Sequence, residues 1–355
     1  MRSDRAQSTE ATGIGGHPYT RSGWRVKALA HLEMTRPYTL FHSGLLAIAG
    51  AEVASQGTAA GWRVALAALV TICGWEAGLY AGDYYDRRID ALSKPYRAIP
   101  SGRVSAREAF LTMVALIAIG YLSALLLGLP NLALAVLTTA LGIAYSKAFK
   151  NKALLGNFDR GILGICAVAF GALAGGSLAQ WPVVLLAALA FFHDSATNLV
   201  GAIRDVEGDR AAGCHTAPAV YGLRAATLIA ATLGVLWALC GIGLLALTRP
   251  GWLALLLVAL ALAQAAYVYG ALALQAVGVY SIGEHTGVTR AQALQAHKLL
   301  VIERLTLLCG IIAIYASVWV ALGLLAFTLA ATLLAQTTLR DRYDRVEVAE
   351  SGSRA

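Results

Sequence analysis

Apolar segments about as long as a bilayer is thick recur along almost the whole chain of 355 residues. A helix that crosses a membrane needs roughly 20 mostly apolar residues, and only helices and closed barrels satisfy their backbone groups in lipid. Charged residues make up only 14% of the chain, against roughly 25% in soluble domains. The sequence therefore predicts an all-α, polytopic membrane protein.

The apolar segments define ten predicted spans within one membrane domain, residues 26–339. The predicted spans are 38–56, 61–82, 107–128, 130–146, 157–179, 182–203, 222–248, 251–278, 297–316 and 318–338. The last two form one continuous apolar stretch that is too long for a single span, and we place the break near Ser317. The polar ends, 1–25 and 340–355, are predicted to be a disordered segment and a frayed tail.

Lysine and arginine are distributed unequally between the two sides of these spans. Of the 28 basic residues, only Arg63 and Arg249 fall on one side. Basic loops stay in the cytoplasm, so the crowded side and both termini are predicted to be cytoplasmic. The net charge of +8 is thus an orientation signal for an inner or plasma membrane protein, and a nucleic-acid partner is not needed to explain it.

Two acidic clusters end the second and sixth spans on that crowded side. The first contains Asp83, Asp86 and Asp90, and the second contains Asp205 and Asp209. A four-residue spacing places carboxylates on one helix face, where they repel each other unless a cation neutralises them. Oxygen ligands without histidine or cysteine favour Mg²⁺ over zinc or copper. The alternative is a pair of solvated helix ends with nearby arginines as weak ion-pair partners.

Basic residues accompany both clusters. Lys94 and Arg97 lie in a loop restricted by Pro95, Pro100 and Gly102, and they suit phosphate oxygens as donors. Two further cations complete this predicted rim, namely Lys147 and Arg204. The loop is therefore expected to bind phosphate, with attraction to the membrane surface as the alternative for its generic basic residues.

Two polar residues lie inside the sixth span. Asp194, Asn198 and Asp205 fall near one helix face, because they are separated by four and seven residues. An ionisable side chain in a span is a functional candidate by default. Asp194 and Asn198 are expected either to line an acceptor pocket or to make an interhelical hydrogen bond.

These motifs resemble those of a known family. Asp83-x-x-Asp86-x-x-x-Asp90, followed by the loop 95–105, is similar to the first signature of the intramembrane prenyltransferase (UbiA) superfamily, particularly its chlorophyll synthase and archaeal lipid geranylgeranyltransferase branches. The segment 203–213 is similar to the second signature. The resemblance covers roughly residues 30–316, and it departs from the pattern at Gly82, where relatives usually carry Asn.

The resemblance implies a bundle of usually nine helices around a central, lipid-accessible cavity that binds a prenyl diphosphate and an aromatic or other lipophilic acceptor. The tenth predicted span is an addition to these nine, so a bundle of nine to ten helices is expected. The resemblance also implies site roles. The Mg²⁺ ligands would be Asp86, Asp90, Asp205 and Asp209, with Asp83 as an added ligand. The diphosphate would be bound by Lys94, Arg97, Lys147 and Arg204. Tyr145 would stabilise a carbocation or orient the leaving group.

Three functions remain open at this stage. The leading one is Mg²⁺-dependent transfer of a prenyl group to an acceptor, with release of diphosphate. A terpene cyclase on the same scaffold would ionise the same donor and quench it intramolecularly. A cation or metabolite transporter ranks below both, because the acidic clusters lie at the ends of spans rather than at mid-membrane.

Overall fold

The computed structural model describes residues 23–279 and 287–340, and all regular structure in those ranges is helical. The predicted disordered segment (1–25) and polar tail (340–355) lie outside the described residues, except for Gly23 to Arg25 and Arg340. The all-α prediction is confirmed.

Twelve α-helices are found in the described ranges. They are α1 (Trp24–Met34), α2 (Phe41–Ser55), α3 (Gly61–Ser93), α4 (Ala106–Leu127), α5 (Leu129–Ala144), α6 (Leu154–Gly175), α7 (Trp181–Ala211), α8 (Ala217–Tyr221), α9 (Leu223–Ala246), α10 (Trp252–Ala276), α11 (Arg290–Tyr315) and α12 (Val318–Ala335). Two π turns follow α5 and α12, at Tyr145–Phe149 and Gln336–Arg340. Each of the ten predicted spans corresponds to one of these helices.

Two features of the helix boundaries bear on the site. The break predicted near Ser317 is present, since α11 ends at Tyr315, Ala316 adopts an extended conformation and α12 begins at Val318. In contrast, α3 and α7 are longer than predicted and continue to Ser93 and Ala211. Both acidic clusters are therefore helical, and their carboxylates four residues apart lie on one helix face, as predicted.

Within the described residues, eight helices are long and apolar enough to cross a membrane, namely α3, α4, α6, α7, α9 and α10, and α5 and α12 when each is taken with the π turn that follows it. Two predicted spans fall outside this group. Helix α2 has only 15 residues, although most of them are buried. Helix α11 carries two buried charged residues, Glu303 and Arg304. Both helices pack inside the bundle, so the nine to ten spans of the prediction depend on counting these interior helices as spans.

Helices α2 and α6 pack closely because glycines face the contact. A Cβ atom at Gly171 would collide with the backbone oxygen of Ala47, and one at Gly50 would collide with that of Val168. Small residues let helix backbones approach in this way in membranes, where lipid offers no hydrophobic drive for association. The contact fixes α6, whose opposite side faces a cavity, against the interior of the bundle.

Candidate active site

A cavity of about 660 Å³ opens between α3, α5, α6, α7 and α11. Its lining includes all five carboxylates of the acidic clusters, which α3 and α7 bring together from distant parts of the chain. We call these carboxylates and the cations beside them the rim, which comprises Asp83, Asp86, Asp90, Lys94, Arg97, Lys150, Arg204, Asp205 and Asp209. The deeper wall is mainly apolar but also includes Arg160, Asp194 and Arg304, so the cavity suits an amphiphilic ligand.

On the α3 side of the rim, Arg97 folds back onto the helix that precedes it. Its Nη1 donates to Asp90 Oδ2 at 2.7 Å and lies 3.6 Å from Asp83 Oδ1. Arg36 Nη2 also donates to Asp83, at 2.5 Å. Burial opposes the charge on Arg97, but Asp83 and Asp90 outweigh it and raise the pKa of Arg97 above its usual value. The guanidinium is therefore permanently charged beside the acids.

The lysine at the cavity after α5 is Lys150. Its Nζ forms an ion pair with Asp86, and although burial opposes the charge, this contact raises the pKa of Lys150. Lys147, the residue expected from the sequence, is exposed, lies outside the cavity lining and places its Nζ 5.6 Å from the ring centroid of Tyr85. The π turn explains the difference, because the Lys150 N–H donates to the Tyr145 carbonyl five residues back.

On the α7 side, Arg204 holds Asp205 through two hydrogen bonds of 2.6 and 2.8 Å. Asp209 Oδ2 accepts a 2.9 Å bond from Thr216 Oγ1. Lys94 faces the same space, where burial lowers its pKa even though the Asp205 charge raises it. Lys94 and Arg204 therefore take the rim positions that the sequence predicted.

A divalent cation can be tested against these donors. In the described parts of the chain, no three histidine, cysteine or acidic side chains converge closely enough to hold a metal ion. The carboxylates instead face arginine, lysine or threonine. The donor set nevertheless fits Mg²⁺ in chemistry, because five oxygen-donor side chains line one cavity. Binding would require them to rotate from these partners toward the cavity.

Tyr145 lies between the rim and the deeper cavity. Asn198 Nδ2 donates to the Tyr145 hydroxyl at 3.4 Å, and Asn198 Oδ1 accepts a 2.8 Å bond from Asn157. The guanidinium carbon of Arg160 lies 4.4 Å from the ring centroid of Trp75 and 5.6 Å from that of Tyr145. Sequence reasoning missed Asn157 and Arg160 as site residues, although an arginine within a predicted span was an available signal.

Deeper in the bundle is a group of buried ionisable residues that we call the inner cluster: His42, His193, Asp194, Glu303 and Arg304. His42 Nε2 and Asp194 Oδ1 are 2.6 Å apart, and His193 Nε2 and Glu303 Oε2 are 2.7 Å apart. Asp194 also lines the cavity, so it both faces the pocket and makes an interhelical bond. His42, Glu303 and Arg304 were not among the expected site residues.

An all-helical membrane bundle around a cavity with a charged rim and an apolar interior defines a class of membrane-embedded enzymes for amphiphilic substrates. The chain belongs to the UbiA prenyltransferase family, whose model matches residues 43–276. The protein is thus a prenyltransferase and an integral membrane protein, and the resemblance seen in its two acidic motifs is confirmed.

Curated relatives include digeranylgeranylglyceryl phosphate synthases of archaea. The protein of Natronomonas pharaonis is 38% identical over 208 residues, which cover 58% of this chain and 73% of that protein. The protein of Methanopyrus kandleri is 35% identical over 211 residues, which cover 58% of this chain and 76% of that protein.

Solved structures share the fold. A UbiA homologue from Aeropyrum pernix K1 in its apo form has a TM-score of 0.64 at 22% identity, over 77% of this chain and 96% of that chain. A UbiA homologue from Archaeoglobus fulgidus bound to DMAPP and Mg²⁺ has a TM-score of 0.60 at 17% identity, over 78% of this chain and 98% of that one. The central-cavity bundle predicted from the motifs is therefore confirmed as a fold.

Proposed function

We propose that the protein transfers a geranylgeranyl group from its diphosphate to a prenylated glycerol phosphate, in a Mg²⁺-dependent reaction that releases diphosphate. The observation that carries this proposal is the rim, where five carboxylates and their cationic neighbours line one cavity with an apolar interior. A diphosphate with metal ions needs both kinds of group, and a prenyl chain needs the apolar wall.

The metal ions would be held by the rim carboxylates Asp86, Asp90, Asp205 and Asp209, with Asp83 beside them. Bound Mg²⁺ supplies charge neutralisation for a departing diphosphate. The protein's own contribution is to position the donor, since Lys94, Arg97, Lys150 and Arg204 offer hydrogen bonds to phosphate oxygens along the same rim. The ion pairs with the carboxylates would then be exchanged for contacts with metal and diphosphate.

Tyr145 is proposed to orient the reacting end of the donor. Its hydroxyl is held by Asn198, and its ring faces the cavity just beyond the rim. The surrounding helices exclude water from this position, which protects an allylic cation until the acceptor reaches it. Once the C1–O bond has broken and its electron pair has left with diphosphate, the acceptor hydroxyl oxygen bonds to C1 of the allylic cation, and the hydroxyl proton passes to the released diphosphate or to water.

The choice of acceptor rests on the relatives named digeranylgeranylglyceryl phosphate synthases, which are 38% and 35% identical to this chain over their matched regions. The expected acceptor is therefore a glycerol phosphate that already carries one prenyl ether. Asp194 and Asn198, on the cavity wall beyond the rim, are proposed to line its pocket. The distribution of basic residues supports an active site facing the cytoplasm, from an inner or plasma membrane.

The test uses the purified full chain with geranylgeranyl diphosphate, Mg²⁺ and a panel of acceptors. We expect diphosphate release that depends on geranylgeranylglyceryl phosphate, with the doubly prenylated product identified by mass spectrometry. Chelation of Mg²⁺ should stop the reaction. If the protein neither bound the donor nor released diphosphate with any acceptor, the proposal would be rejected. A cyclised hydrocarbon formed without acceptor would assign the protein to the terpene cyclases.

A further inference from the structure

Two arginines line the cavity beyond the rim, Arg160 on α6 and Arg304 on α11. Both belong to helices inside the bundle, and the side chain of Arg304 is only 5% exposed. Arginine is expensive to place inside a membrane protein unless it has a partner or faces a polar cavity. The role proposed for the rim does not use either residue, so their presence needs a separate explanation.

The depth of Arg160 follows from how α6 runs along α7. Asn157 bonds Asn198, and one turn beyond Arg160 the backbone of Gly164 packs against Asp194. The two helices are therefore antiparallel here, and Arg160 lies at a level between Asn198 and Asp194. Its guanidinium extends toward α3 and rests on Trp75.

Arg304 reaches the same depth from the opposite wall. Helix α11 is also antiparallel to α7, because His297 packs near Gly201 and Glu303 pairs with His193. Arg304 thus lies at the level of Asp194. Both guanidinium groups line the same cavity, where the charge of Arg160 acts on Arg304 together with the larger, opposite effects of Asp194 and Glu303.

Neither arginine forms a direct ion pair with a carboxylate in the described residues. Among residues 23–279 and 287–340, no carboxylate oxygen lies within 4.0 Å of a nitrogen of Arg160 or Arg304. The two nearest acids of the inner cluster are engaged elsewhere, since Asp194 pairs with His42 and Glu303 with His193. Arg304 Nε is buried and has no hydrogen-bond partner in the described structure.

We propose that Arg160 and Arg304 form a second anion site, which binds the phosphate monoester of the acceptor. This inference rests on the proposed function and specifies where the acceptor's charged group lies. The donor diphosphate is expected at the rim, near Asp205, whereas Asp194 is 11 residues away on α7, or about 16 Å along the helix. That separation leaves room for the reacting carbon near Tyr145 and a glycerol phosphate beyond it.

The chemistry favours a phosphate monoester as the ligand. Two guanidinium groups can share the oxygens of a dianion through several charge-assisted hydrogen bonds, and burial strengthens such contacts. Bound phosphate would also remove the repulsion between the two arginines. Arg304 lies outside the segment 43–276 that the family model matches, so this part of the site is contributed by the last third of the chain.

Binding is measured first, without donor or Mg²⁺, as the rise in unfolding temperature of the detergent-solubilised chain on adding geranylgeranylglyceryl phosphate. The comparison ligands are geranylgeranylglycerol, which lacks the phosphate, and phosphatidylglycerol, a lipid phosphodiester. The variants are Arg160→Gln, Arg304→Gln and Arg304→Lys. The matched control is Arg224→Gln, an exposed arginine outside the cavity lining.

We expect the monoester to raise the unfolding temperature of the wild-type chain and of the control. Both comparison ligands should bind these two proteins with an apparent affinity at least tenfold lower. Arg160→Gln and Arg304→Gln should weaken monoester binding by about 10- to 100-fold, and Arg304→Lys should recover part of it. In turnover assays, the same variants should raise the KM for the acceptor while the KM for geranylgeranyl diphosphate stays within twofold.

Two results would overturn the site. One is that geranylgeranylglycerol or phosphatidylglycerol binds the wild-type chain as tightly as the monoester does. The other is that Arg160→Gln leaves the affinity for the monoester unchanged. Arg160 is partly exposed and carries the test if Arg304→Gln does not fold. A wild-type chain that binds the monoester through these arginines but transfers no prenyl group would reject the proposed function while keeping the anion site.

Discussion

The rim and the inner cluster contain similar residue types but are assembled differently. At the rim, Arg97 bonds Asp90 seven residues earlier, and Arg204 bonds the adjacent Asp205. In the inner cluster, the His42–Asp194 pair spans 152 residues and the His193–Glu303 pair spans 110. Part of the rim is thus formed by neighbouring residues within each acidic motif, although its Asp86–Lys150 pair spans 64 residues and depends on packing. The inner cluster forms only once α2, α7 and α11 have packed.

The two regions also differ in what surrounds their charges. Rim carboxylates face an open cavity, so their cationic partners can be exchanged for metal and diphosphate. The His193–Glu303 pair of the inner cluster is enclosed by helices, and the Glu303 side chain is fully buried. A charge enclosed in this way is destabilising once its partner is removed. Substitutions at the rim should therefore affect activity, and substitutions in the enclosed His193–Glu303 pair should affect stability.

The largest effect is expected for the rim substitutions Asp86→Asn and Asp209→Asn. Each removes a charge proposed to hold Mg²⁺, so turnover measured as diphosphate release should fall by about 10³-fold or more. The unfolding temperature should change little, because the Asp86–Lys150 pair is partly exposed and the Asp209 carboxylate is repelled by Asp205. A loss of folding without a loss of metal binding would instead make the acidic clusters structural.

The opposite pattern is expected for Glu303→Gln in the inner cluster. Removing one partner of a buried pair should lower the free energy of unfolding by about 3–5 kcal/mol, measured by denaturant titration in detergent. The matched control is Glu108→Gln, which changes an exposed pair with Lys27 and should cost about 1 kcal/mol or less. Equal effects of the two substitutions would contradict the distinction between the regions.

This difference sets what sequence alone can predict. Span length, charge distribution and the two acidic motifs are local patterns, and they predict the helices, the break at Ser317 and the rim. The pairing of His42 with Asp194 depends on helix packing, to which glycines such as Gly171 contribute, and no local pattern reports it. The presence of Lys150 at the cavity instead of Lys147 depends on a π turn, which changes the helical register and has no local sequence pattern that predicts it.

The two lysines after α5 provide a finer comparison within the rim. Lys150→Met removes the cation paired with Asp86 and should raise the KM for geranylgeranyl diphosphate by about 10- to 100-fold. Lys147→Met changes an exposed residue outside the cavity lining and should have less than a threefold effect. Initial-rate kinetics of both variants show which of the two lysines binds the donor. A larger effect at Lys147 would mean that the register of the π turn differs in the working enzyme.

The smallest effect concerns pH and the loop lysine Lys94. Burial lowers the pKa of Lys94, whereas Asp86 raises that of Lys150, so Lys94 is the first of the two to lose its charge as pH rises. Its attraction for diphosphate is present below its lowered pKa and is lost above it. The kcat/KM for the donor, which reports the free enzyme, should therefore fall several-fold at alkaline pH.

Lys94→Arg tests this assignment, because a guanidinium stays charged throughout the range. The alkaline fall should move to higher pH in Lys94→Arg and stay in place in Lys150→Arg, which serves as the control. Solution effects on Mg²⁺ and diphosphate are common to all three proteins and cancel in the comparison. If both variants gave the wild-type profile, the alkaline fall would belong to another group, and Lys94 would contribute position rather than titratable charge to the rim.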